Sequence, residues 1–73
     1  MMSFQSYLDN IETKTGKRPY DFETMAADKG FATDDGLTPS TKAGDIIAWL
    51  KQDFGLGHGH SMAIVALLEG KTN

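Results

Sequence analysis

Two histidines one residue apart, His58 and His60, are the side chains of this 73-residue chain best suited to chemistry. A pair of imidazoles can begin a metal site, with Asp53 or Glu69 as a further ligand. A stable site takes three or four ligands at defined spacing, and no recognised pattern here supplies them. The expectation is therefore no bound metal, with His58 and His60 as loop histidines, one exposed and one hydrogen-bonded to a nearby backbone carbonyl. Ser61 follows His60 directly, but neighbours in sequence are not a nucleophile and its base; that pairing needs geometry from separate elements. The adjacent carboxylates Asp34 and Asp35 fall in a small, polar stretch and read as a solvated turn. The absence of cysteine removes thiolate chemistry, disulfides and cysteine-based zinc sites. The reading is a non-enzymatic chain with no cofactor.

The backbone around the histidines offers more than their side chains. Residues 55–60 read G-L-G-H-G-H, too rich in glycine for a helix interior, and Ser61 is placed to cap a helix that follows. Gly55, Leu56, Gly57 and the start of the following helix bring several unpaired N–H groups together at that helix's positive end, an arrangement that attracts anions. Lys51 lies one turn before the end of the preceding helix and adds a positive charge. Imidazoles titrate near pH 6.5 in model peptides, so the histidines strengthen such a site as the pH falls. The candidate contact residues are Lys51, Gly55, Gly57, His58, Gly59, His60 and Ser61, with Trp49 as an exposed aromatic anchor for a partner. The second reading is plainer: glycines are what a tight turn between two packed helices requires. Both stay open at this point.

The elements that must position this segment follow from apolar spacing. Phe4, Tyr7, Leu8 and Ile11 stand at i, i+3, i+4 and i+7, which predicts a helix over 4–15 behind Ser3 as N-cap and ahead of Gly16 as terminator. Pro19 suits the first turn of a second helix over 19–29, with Phe22, Met25 and Ala26 as its stripe. Gly30 ends it, and Phe31 follows where a Schellman motif places an apolar contact. Residues 32–38 read as a loop anchored by Leu37. A third helix starts at Thr38 to Ser40 and carries Ala43, Ile46, Ile47, Leu50 and Phe54, with Trp49 at the edge of the stripe; Gly55 stops it. The fourth runs from Met62 to Glu69 and is apolar on every side, so it is either the central core helix or part of a homodimer interface over Met62–Leu68. Tyr20 and Trp49 are the aromatics placed to lie exposed. No stretch alternates with period two, so no strand is expected.

Length and charge bound the rest. A chain of 73 residues is one domain, taken as 2–70, and it buries roughly 60% of the surface of its unfolded state. The longest apolar run, Met62 to Leu68, is far short of the roughly 20 residues a membrane span needs. No secretory leader opens the chain, and the expectation is a cytoplasmic protein with no membrane partner. The formal net charge is −3. Residues 1–37 hold seven acids and four bases, and residues 38–73 three of each, so the excess sits in the first half. An acidic balance argues against broad electrostatic binding to nucleic acid but leaves room for a local contact from the neutral half.

Two resemblances enter on particular strings. S-F-Q-S-Y-L-D-N-I-E-T-K-T-G-K, then P-Y-D-F and K-G-F, then K-A-G-D-I-I-A-W-L-K-Q-D-F-G-L-G-H-G-H-S-M-A-I resemble the bacterial family catalogued as domain of unknown function 4287, over about residues 2–68. The resemblance implies a short helical domain with no assigned activity. It also implies Thr in place of Arg18 and Ala in place of Ser61. Arg18 cannot cap the second helix as Thr would, which leaves that start frayed or hands the cap to Asp21. Locally, Gly55, Leu56, Gly57, Ser61 and Ile64 are similar to the helix-hairpin-helix pattern, in which hairpin amides hold a DNA phosphate without reading base sequence. The usual flanking Lys or Arg is replaced here by His58, Gly59 and His60. The expected architecture is all-α: a small domain of four helices in two antiparallel pairs. The expected function is binding of a protein partner, itself included. DNA-backbone binding is the first alternative, and capture of a phosphorylated small molecule the second.

Overall fold

A computed structural model describes residues 3–70. Its elements run α1 (Phe4–Thr15), α2 (Pro19–Asp28), β1 (Ala32–Thr33), β2 (Gly36–Leu37), α3 (Ala43–Phe54) and α4 (His58–Leu68). The fold is mostly α, four helices with one very small sheet.

The first two helices begin and end where capping chemistry places them. Ser3 Oγ accepts the Ser6 N–H at 3.1 Å, and Gly16, at φ 74°, closes α1 by donating its N–H to the Glu12 carbonyl at 2.8 Å. Arg18 has no acceptor to offer α2, and Asp21 takes over: its carboxylate accepts the Arg18 N–H at 2.8 Å, fixing the chain entering Pro19. At the far end Gly30 donates to the Ala27 carbonyl and Phe31 to that of Ala26, the paired bonds of a Schellman motif, and Phe31 packs on the core.

Residues 31–42 depart from the expected loop and helix start. Ala32 pairs with Leu37 and Thr33 with Gly36 in an antiparallel hairpin whose tip is Asp34–Asp35. Two-residue strands are too short to display alternation, so this pairing leaves no periodic signal. Helix α3 starts at Ala43, not at Thr38 to Ser40. Thr38 is engaged elsewhere: its N–H donates to the Phe31 carbonyl at 3.0 Å and its hydroxyl to the Gly30 carbonyl at 2.9 Å. Those bonds hold the hairpin shut and commit Thr38 to the link. The Asp45 carboxylate then accepts the Lys42 N–H at 3.0 Å and starts α3, as Asp21 does for α2.

Helix α4 is the centre of the core. It packs on α1, α2 and α3. Ser61, Ala63, Ile64, Val65 and Leu68 are buried, and Met62 is the large apolar side chain of α4 that stands out, at 40% exposure. Most of the all-round apolar pattern is thus satisfied within one chain. α3 and α4 form one hairpin, while α1 and α2 each lie against α4. Trp49 is only 7% exposed, contrary to its reading as a surface anchor. Its ring joins Phe22, Phe31 and Phe54 at centroid distances of 6.5, 5.8 and 6.3 Å, and the Lys29 ammonium sits 5.6 Å from its centroid. A partial face at the edge of the α3 stripe became core because the Schellman turn of α2 brings Phe31 over it. Tyr20, by contrast, is 75% exposed.

Candidate functional site

The α3–α4 hairpin is built from the inside outward. At the end of α3, Gly55 takes φ 66° and ψ 24°, a left-handed conformation that favours glycine, and donates to the Lys51 carbonyl at 3.0 Å. Leu56 then turns into the core, 2% exposed, and its N–H reaches back to the Leu50 carbonyl at 3.3 Å. This buried leucine pins the turn from below. Gly57 follows at φ −73° and ψ 174°, an extended conformation open to any residue, and a Cβ added there would meet nothing within 4 Å. The two glycines of the turn therefore differ: one is required by its backbone and the other is not.

Gly57, not Ser61, is the N-cap, and α4 begins at His58 instead of Met62. Gly59 falls in the first turn, where a glycine costs about 1 kcal/mol relative to alanine at most. The earlier start places Ser61 on the buried face, 0% exposed, with its N–H on the Gly57 carbonyl at 2.9 Å. Its Oγ is buried and finds no hydrogen-bond partner among the described residues.

The histidines part company. His58 is exposed. His60 is half-buried and meets the edge of Tyr7 at 5.3 Å between centroids, with 82° between the rings. Its Nε2 is buried without a hydrogen-bond partner among the described residues, where a bond to a backbone carbonyl was expected of one histidine. Tyr7 also covers Gly59: a Cβ there would lie 3.5 Å from the tyrosine Cε1 and 3.6 Å from its hydroxyl. Tyr7 belongs to the site, and no local signal placed it there, because α1 reaches the start of α4 only through the tertiary fold. Lys51 is exposed on the last turn of α3. Trp49 faces the aromatic cluster and is not part of the hairpin surface. Among the described residues, no three His, Cys, Asp or Glu side chains converge as a metal-holding group.

The electrostatics of the hairpin come from its backbone. The first-turn N–H groups of a helix have no acceptor within it. In α1 the Ser3 hydroxyl oxygen accepts one of them; α2 and α3 carry an aspartate in the first turn, which accepts the N–H of the preceding cap residue and sets a negative charge at the positive end of the helix. In α4 there is no side-chain cap and no acid in the first turn. The positive end of its dipole thus points out at His58 and Gly59, both exposed. Four acids gather at the opposite end, while Asp53 stands exposed on the last turn of α3 beside the hairpin and offsets Lys51. Glu23, Asp34, Asp35 and Glu69 rim a cleft of about 250 Å³ that also touches Leu67 and Leu68. The length of α4, roughly 16 Å at 1.5 Å per residue, separates the two. That exceeds the Debye length of about 8 Å at physiological salt, so these four carboxylates only weakly oppose an anion at the hairpin.

A family model described as a domain of unknown function, number 4287, matches residues 3–70, every residue described above. The chain belongs to that family. No curated protein and no solved structure matches it. A family of that description brings no activity with it, so the function of the hairpin rests on the geometry of this chain. No helix among the described residues is long and apolar enough to cross a membrane.

Proposed function

We propose that this is a non-enzymatic binding domain whose contact site is the α3–α4 hairpin, and that it holds there a phosphate of a nucleic-acid backbone without reading base sequence. One observation carries the reading: among the four helices, only α4 has neither a capping side-chain oxygen nor an acid in its first turn, and that end is exposed at a hairpin tip pinned by Leu56. The residues similar to the helix-hairpin-helix pattern support it. Gly55 is left-handed, Leu56, Ser61 and Ile64 are buried, and Gly57 caps the second helix. Binding is weak and local. Only one or two phosphates are engaged, so log K falls against log salt with a slope of about −1 to −2.

The test is an NMR amide titration with a short DNA duplex and, separately, with inorganic phosphate, each at pH 6 and pH 7.5. Shifts confined to residues 55–62 support the proposal. Equal response to free phosphate moves the reading to a phosphorylated small molecule. No shift in that segment under any condition overturns both and leaves a tight turn.

A protein partner is the second reading, and Tyr20 favours it: its ring is 75% exposed in the first turn of α2, and tyrosine is enriched among the side chains that anchor protein interfaces. Capture of a defined partner by the wild-type chain, lost with Tyr20→Ala, supports that reading; capture unchanged by the substitution removes it.

A further inference from the structure

We draw no further inference here: the strongest candidate, the cleft between α2, the β1–β2 hairpin and the C-terminal end of α4 rimmed by Glu23, Asp34, Asp35 and Glu69, is an acidic cluster with nothing in the structure to show what covers it.

Discussion

Replacing Ser61 with alanine removes a single oxygen from the middle of the core. The side chain is 0% exposed and its hydroxyl has no hydrogen-bond partner among the described residues. A buried donor left unsatisfied costs about 1–3 kcal/mol in lost hydration, and the alanine variant recovers that. Alanine also has the better helix propensity, by up to roughly 0.5 kcal/mol. Against this stands the void left by one oxygen, on the order of 15 Å³, which at about 24 cal/mol per Å³ costs roughly 0.4 kcal/mol. The net expectation is a protein more stable by about 1–3 kcal/mol. In a domain of this size each kcal/mol raises the Tm by about 4–8 °C.

The measurement is urea and thermal unfolding followed by circular dichroism, with the two-state assumption checked by coincidence of probes. Ser61→Val serves as the control for tightness: a methyl in place of the hydroxyl and one further methyl in a sealed site should cost about 1–3 kcal/mol by overpacking. If Ser61→Ala is instead less stable than the wild type by 1 kcal/mol or more, the hydroxyl is bonded in solution. The Gly57 carbonyl one turn back, the usual kind of partner for a serine inside a helix, would be the acceptor to test. That result would refute the account of Ser61 as a polar group tolerated in the core.

Other substitutions test other parts of the design. Ile64→Ala, at a site with 0% exposure at the centre of α4, should cost about 2–5 kcal/mol by chemical denaturation, and Leu67→Ala, half-buried at the cleft, clearly less. Asp21→Ala and Asp45→Ala each remove the only side-chain oxygen fixing the start of a helix and should cost about 0.5–1 kcal/mol each, with faster amide exchange in the first turns of α2 and α3 respectively. Gly57→Asp should keep or slightly raise the Tm, by a cap worth a few tenths of a kcal/mol, while abolishing any amide shifts on addition of DNA; Gly57→Ala, which the open space and extended backbone admit, should preserve them.

The helices were legible wherever local chemistry decides. Ser3 and Gly16 bound α1, and Gly30 with Phe31 closes α2, because caps act within one turn. The all-round apolar α4 was readable as either a central helix or a subunit contact, because an amphipathic surface helix must spare one face for water and the run Met62 to Leu68 spares none. Three features were not legible, each for a tertiary reason. Thr38 is a good N-cap by type, but its hydroxyl is worth more to the Gly30 and Phe31 carbonyls, so α3 waits for Lys42 and Asp45. Ser61 is likewise a good cap by type, but the burial of Leu56 draws the chain inward and starts the helix one turn early. Trp49 lies on the shoulder of its helical stripe, and only the path of residues 29–31 decides that Phe31 and Lys29 cover it. The site followed the same division: Gly55 through Ser61 stood out by glycine spacing, whereas Tyr7 entered from a distant helix.

What separates a binding hairpin from a mere turn is whether its amides are held ready and left open. They are held ready here. Gly55 is locked by its backbone bond to Lys51, Leu56 is sealed beneath, and Tyr7 braces Gly59 and His60 from the side. An anion that docks on such a frame orders little that was not already ordered, which is how a site of two or three amides reaches measurable affinity despite its small area. They are also left open. Gly57 sits in a conformation that Ser, Asn or Asp would accept, with free space around it, and any of these would satisfy a first-turn amide as the chain does at α1. Glycine at that position forgoes a little stability and keeps the helix end accessible. If the hairpin were only a turn, capping it would carry no loss, and the binding of Gly57→Asp relative to Gly57→Ala measures that loss directly.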